Sequence, residues 1–281
     1  MTWLELRRAT PARIGLGRGG TALSTAAQLD FQLAHARARD AVYAVLDAER
    51  IAAEIRRLGL APIVLRSQAG DRATYLRRPD LGRRLDPNSR RALDQLTQDF
   101  VMPGLEPGIR ETTVLPRVDA RDDPGHDDGR RGCDIAFVIA DGLSATAVNA
   151  HAVPLVEATL AGLRGLTIAP VAIVEGGRVA IGDEIGGLLG ADIAVVLIGE
   201  RPGLSAADSL GIYLTWQPAP GAVDAARNCI SNVRPHGMPI TDAAAALLRL
   251  VAAARQHRMT GVGLSSRLSE APSALPGHNE G

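Results

Sequence analysis

The chain has 281 residues, 46% of them hydrophobic but only 3% aromatic, so it can bury a sizeable core that must be aliphatic. Lysine plus arginine and aspartate plus glutamate balance at 31 each, and without a basic excess nucleic acid and membrane surfaces are poor partners. Every fixed basic side chain is arginine, which excludes Schiff-base and P-loop lysine chemistry. The cysteines, Cys133 and Cys229, match no zinc spacing and fit a reduced, cytoplasmic setting. The start M-T-W-L-E-L-R-R lacks the apolar centre of a signal peptide, and no run of about 18 uncharged apolar residues suggests a membrane span.

In chain order, residues 21 to 60 read as helix, with Thr21 or Ser24 as cap, apolar residues at helical spacing and Gly59 as stop. Ile63 to Leu65 is a short strand candidate, and Asp86 or Ser89 starts a helix through Leu93 and Leu96. Residues 103 to 132, with four prolines and a run of charges, read as a polar linker or inserted loop. From Cys133 onward strands and helices alternate. Strands are expected at Ile135–Ala140, Val171–Val174, Ile193–Ile198 and Ile212–Trp216. Ser144 is expected to cap a helix that Pro154 kinks, Asp183–Leu189 to form a short helix, and Thr241 to cap a long one. The expected fold class is α/β: a Rossmann-like, mostly parallel sheet at 133–265 with helices on both faces. A smaller, mainly helical region (1–102) precedes it, and a disordered tail (266–281) follows.

The richest segment is Ala191 to Leu204, where a strand ends in Gly199, Glu200, Arg201, Pro202 and Gly203. Ligands of open α/β sheets bind beyond the carboxyl ends of the strands. Glutamate and arginine there supply a strong acceptor and five donors, although a surface ion pair is an equal reading. Gly15 to Gly20 satisfies G-x-G-x-x-G, but Thr10-Pro11-Ala12-Arg13 is a poor strand, so a loop is the better reading. His126-Asp127-Asp128-Gly129 partly mimics the D-x-H-x-x-G loop of some cobalamin proteins, with proline in place of the aspartate. No G-x-S-x-G elbow is present, and Cys229 reads as a small contact or buried thiol before a nucleophile. The pairs Arg7-Arg8, Arg77-Arg78 and Arg83-Arg84 could bind an anion, and an interface role is the favoured reading.

Six runs in collinear order resemble the small subunit of ethanolamine ammonia-lyase. They are L-R-R-A-T-P-A-R-I (6–14), Y-L-R-R-P-D-L-G-R-R-L (75–85), I-A-D-G-L-S (139–144), G-R-V-A-I-G-D-E-I-G (177–186), I-G-E-R-P-G-L (198–204) and C-I-S-N (229–232). The resemblance implies one half of a hetero-oligomeric carbon–nitrogen lyase that converts ethanolamine to acetaldehyde and ammonia. A separate large subunit holds the substrate, and adenosylcobalamin, base-on, lies where the two subunits meet. It places cofactor contacts at Val179, Glu200 and Cys229, with Arg178 and Arg201 as neighbours, and it implies no catalytic residue and no metal ligand in this chain. Many family members carry an extension that can serve packaging in a bacterial microcompartment; with so short a segment before Leu6, free cytoplasm is at least as much expected here as such packaging. The alternatives from the residues themselves are a stand-alone nucleotide-binding oxidoreductase and a non-enzymatic cobalamin carrier.

Overall fold

Residues 3–10, 12–100 and 132–270 are described by a computed structural model of the chain. Helix α1 (Trp3–Ala9) and a hairpin of β1 (Arg18–Gly19) with β2 (Ala22–Leu23) lead into α2 (Thr25–Tyr43) and α3 (Ala48–Arg57). Strand β3 (Pro62–Arg66), α4 (Arg72–Arg77) and α5 (Pro87–Phe100) follow. The second part holds β4 (Ile135–Ala140), α6 (Ala145–Leu160), β5 (Val171–Glu175), α7 (Ile181–Leu188), β6 (Ile193–Gly199) and β7 (Leu210–Trp216). It closes with β8 (Arg227–Val233), α8 (Ile240–His257) and α9 (Val262–Glu270).

Side chains of a strand alternate between the two faces of its sheet, so a strand covered on both faces is apolar throughout. Strands β4 and β6 are buried at every position. Ile135, Phe137 and Ile139 face one layer, where α3, α6 and α8 contribute Ile51, Ile55, Val148, Leu155, Leu247 and Val251. Ala136, Val138 and Ala140 face the other, where Leu93 of α5 and Ile181 and Ile185 of α7 pack. Helices therefore cover both faces, as an α/β chain requires.

The sheet is mixed, which corrects the expectation of a mostly parallel one. Its six strands run β3-β5-β4-β6-β7-β8. The pairs β3–β5, β5–β4 and β4–β6 are parallel, whereas β6–β7 and β7–β8 are antiparallel. The cause lies in the connections. A parallel neighbour needs a long crossover, usually helical. Residues 200–209 hold no helix, and 217–226 hold only the single turn Asp224–Ala226. Each therefore returns the chain antiparallel.

Several local expectations also change. Strand β3 is an edge of this same sheet, paired with β5, so the sheet draws on both sides of residues 103–132. The helix expected over 21–60 breaks at Ala44–Asp47, because Asn149 of α6 accepts from the Asp47 amide and donates to the Val45 carbonyl. Asp47 then caps α3 by accepting from the Arg50 amide. Ser24 and Ser144 cap α2 and α6 as read, and α6 continues through Pro154. Pro239 rather than Thr241 precedes α8. Helix α9 runs to Glu270, five residues into the segment expected to be disordered, and 271–281 lie outside the described residues. No helix among the described residues is long and apolar enough to cross a membrane.

After β4 the chain crosses through α6 to β5 on one side, then through α7 back over β4 to β6 on the other. A crevice opens where successive connections diverge. It is set by a close backbone approach: the Leu143 amide donates to the Gly199 carbonyl at 2.9 Å, with Gly142 at φ +56°. A Cβ on Gly199 would lie 2.1 Å from the Ser144 carbonyl oxygen and 2.6 Å from that of Asp141. Gly199→Ala is expected to lower stability by about 2–3 kcal/mol through overpacking against backbone. Thermal unfolding should then fall by roughly 5–10 °C; an unchanged melting temperature would show that the turn can move aside.

Candidate functional site

Two adjoining clefts lie along the carboxyl ends of the parallel strands. The first, of about 410 Å³, is lined by Tyr75, Gly142, Leu143, Arg178, Val179, Ile198, Gly199, Glu200, Arg201 and Tyr213. The second, of about 340 Å³, shares Tyr75 and reaches Tyr43, Val45, Arg66, Arg72, Asp141 and Glu175. Four of the five residues singled out in the sequence, Arg178, Val179, Glu200 and Arg201, therefore line one cleft. The fifth, Cys229, is not in its lining. It is exposed on β8, paired in register with Tyr213 of β7. Tyr213 thus bridges Cys229 to the cleft.

Glu200 follows the last residue of β6, and its amide donates to the Ser209 carbonyl at 2.9 Å. Its carboxylate accepts from the Ser209 and Ser231 hydroxyls, both at 2.5 Å, and from the Asn232 amide at 3.1 Å. The end of β6, the loop entering β7 and the end of β8 are thereby tied to one acidic group. A carboxylate has about four acceptor positions, so three protein donors leave one for a ligand. Arg201 is exposed and makes no hydrogen bond among the described residues. Val179 is half-buried and packs against the Val174–Ile181 side of the core, so it offers an apolar wall.

The partition between the clefts is a charged cluster. Asp141, beyond β4, accepts from the Gly177 amide at 3.0 Å and lies 3.5 Å from Arg72. Arg72 donates to the Val42 and Gly142 carbonyls, each at 2.7 Å. Burial pushes the Asp141 carboxyl up to about 6, and Arg72 and the neighbouring amides only partly oppose it. The Cys229 thiol is also raised, by desolvation of the sulfur first, with Tyr213 opposing. It stays protonated at neutral pH, which suits a contact residue and not a nucleophile. Burial raises Cys133 to about 11 in the same way.

The other sequence candidates take no part. Gly15–Gly20 belongs to the β1–β2 hairpin and lines neither cleft, and among the described residues no strand precedes it. His126–Gly129 lies outside the described residues. Among the described residues no three histidine, cysteine, aspartate or glutamate side chains gather to hold a metal. Of the arginine pairs, Arg78 pairs with Asp80 at 2.8 Å, while Arg7, Arg8, Arg83 and Arg84 are exposed. Sequence reasoning missed Tyr75, Arg72, Asp141 and Tyr213. One signal was present: β4, β5 and β6 end at Asp141-Gly142, Glu175-Gly176 and Gly199-Glu200, a carboxylate beside a glycine each time.

The fold is that of an α/β protein, with an apolar-walled crevice carrying a few aimed polar groups at the kind of place where open α/β sheets take ligands. The family model described as "Ethanolamine ammonia-lyase light chain (EutC)" matches residues 1–102 and 120–265. The chain is 49% identical over 264 residues to the ethanolamine ammonia-lyase small subunit of Azotobacter vinelandii, covering 93% of this chain and 87% of that protein. The protein of the same name from Pseudomonas syringae pv. tomato is 50% identical, covering 93% and 82%. The one from Ralstonia nicotianae is 48% identical, covering 96% and 90%. The chain belongs to the ethanolamine ammonia-lyase light-chain family, the smaller part of a carbon–nitrogen lyase.

A carboxyl whose folded pKa lies above its unfolded value binds its proton more tightly when folded. Asp141 therefore favours the fold in acid, and that contribution is lost as pH rises from about 4 to about 6. Relative to Asp141→Asn, the parent is expected to lose about 2–3 kcal/mol between pH 4 and pH 7, read by urea unfolding of both at each pH. Equal pH dependence of the two proteins would remove Asp141 as the source.

Proposed function

We propose that the first cleft holds part of adenosylcobalamin and presents it to a large subunit that deaminates ethanolamine to acetaldehyde and ammonia. The observation that carries this reading is the convergence of Arg178, Val179, Glu200 and Arg201 on one crevice, with Cys229 one strand pairing away. The donor set fits the group. A corrin is a broad apolar plate fringed with amides. Val179, Leu143 and Ile198 offer apolar contact, the free acceptor position of Glu200 suits an amide or ribose hydroxyl, and Arg178 and Arg201 offer donors to carbonyl or phosphate oxygens. A cleft of about 410 Å³ takes one edge or the nucleotide tail of so large a molecule and leaves the rest to another chain.

When bound, adenosylcobalamin supplies the radical chemistry. The residues of this chain bind and orient it; none is assigned a proton or a bond to the substrate. The absence of a true D-x-H-x-x-G run accords with a base-on cofactor. The reversal of the chain between β5, β4 and β6 supports a Rossmann-like reading of the parallel half alone. Residues 103–119, which the family model leaves unmatched, fit an inserted polar segment.

Co-expression with the large subunit of the same enzyme tests the assignment. Ethanolamine deamination is expected only with both chains and adenosylcobalamin; activity from this chain alone, or without the cofactor, refutes it. Glu200→Gln keeps the shape and removes the charge. It should raise the KM for adenosylcobalamin by about tenfold and leave kcat at saturating cofactor within about twofold. A fall in kcat with unchanged KM would refute a purely binding role.

A further inference from the structure

We infer that Tyr75 is a positioning residue of the first cleft, acting by holding the Arg178 guanidinium; the inference rests on the cobalamin reading of that cleft. Tyr75 sits in the Y-L-R-R-P-D-L-G-R-R-L segment, whose arginine pairs read as an anion site or, in preference, an interface. It is 1% exposed, yet it lines both clefts. Two guanidiniums lie over its ring, with Arg178 Cζ 4.2 Å and Arg72 Cζ 4.8 Å from the centroid. Attraction of a cation to a ring face is strongest where water is excluded, as here.

Two further contacts fix Arg178 to the same segment, and a third joins Tyr75 to the preceding residue, Gly177. Its Nη2 donates to the Tyr75 carbonyl at 3.1 Å, and its amide donates to the Gly82 carbonyl at 2.7 Å. The Tyr75 hydroxyl donates to the Gly177 carbonyl at 3.2 Å. Close approach is built in at Gly82, where a Cβ would stand 2.8 Å from Arg178 Cγ and 3.0 Å from the Gly176 oxygen. With Nη2 tied down and Nε buried without a partner, Nη1 is the nitrogen left to donate to a ligand in the cleft. An arginine on a flexible stem would lose rotamer freedom on binding. Tyr75 removes that cost in advance, so its influence should fall on affinity, pass through Arg178 and depend on the ring more than on the hydroxyl.

The test uses the complex with the large subunit and compares Tyr75→Phe, Tyr75→Met and Arg178→Gln, with the two Tyr75 variants also combined with Arg178→Gln. Tyr75→Met is expected to raise the KM for adenosylcobalamin about tenfold with kcat within about twofold, whereas Tyr75→Phe stays within about twofold of the parent. In the Arg178→Gln background Tyr75→Met should add nothing. Hydrogen exchange of the 176–180 amides, measured without cofactor, should quicken about tenfold in Tyr75→Met and little in Tyr75→Phe. An unchanged KM in Tyr75→Met, a Phe variant as impaired as Met, or a full Tyr75→Met effect in the Arg178→Gln background overturns the inference. Should Tyr75→Met fail to assemble, Arg178→Lys, which keeps charge but cannot stack and bridge as arginine does, is expected to give the same tenfold rise, and parental behaviour overturns it. If Arg178→Gln alone leaves the KM unchanged, the cofactor reading of this side chain fails, and the exchange rates still decide whether Tyr75 holds the turn.

Discussion

The approach of the β4–α6 turn to the end of β6 is the constraint on which the site depends. The Leu143 amide reaches the Gly199 carbonyl only because neither Gly142 nor Gly199 carries a side chain. That contact carries the pairing of β4 with β6 one step beyond the ladder, at the point where the connections diverge to opposite faces. Asp141 and Glu200 are then held on the two flanks of the same contact. The clefts are consequences of topology at this point, and the side chains inside them fill a geometry that the backbone has already fixed.

Electrostatics decides how that geometry is furnished. A chain without lysine must meet every need for a fixed cation with a planar guanidinium, and the partition between the clefts uses the planarity. Arg72 bonds two carbonyls, faces Asp141 and still lies over the Tyr75 ring. An ammonium on a flexible stem could not make all of these contacts together. The cost of burying Asp141 shows in its raised pKa, so Arg72 only partly offsets desolvation. A comparable balance holds β8 to α7, where Arg227 meets Asp183 and burial still raises the aspartate.

The sequence made the centre of the sheet legible and left its edges obscure. Strands β4, β5 and β6 are apolar runs because helices cover both faces, and the caps at Ser24 and Ser144 follow from local chemistry. Strand β8 escaped notice because R-N-C-I-S-N-V carries polar groups that are buried only by virtue of distant partners. Arg227 pairs with Asp183 on α7, and Asn228 bonds Gly261 and Ser265. No local pattern announces such pairing. Strand direction was misjudged for a similar reason: it depended on helices that 200–209 and 217–226 do not contain. Of the cleft, Glu200 and Arg201 stood out as a charged pair at a strand end, Arg178 and Val179 came from the resemblance, and Asp141 was passed over although it too stands at a strand end. Tyr75 and Arg72 were not readable, since they arrive from α4, which no periodicity connected with the carboxyl edge of the sheet.

Glu200 shows why binding and architecture are hard to separate in this cleft. Three of its acceptor positions hold the ends of β7 and β8 against β6, so its charge is first a structural fastening. A group fastened in that way reorganises little when a ligand arrives, and the ordering cost of binding is met during folding. The same reasoning covers Arg178, held by the ring and carbonyl of Tyr75. Arg201 is the exception: it is exposed and makes no hydrogen bond among the described residues. A rigid acceptor and a rigid donor on one wall, beside a free arginine at the rim, suit a large ligand that is gripped at one edge while a second chain closes over the remainder. On the proposed reading, precision would come from the fastened pair and adjustment at the rim from Arg201.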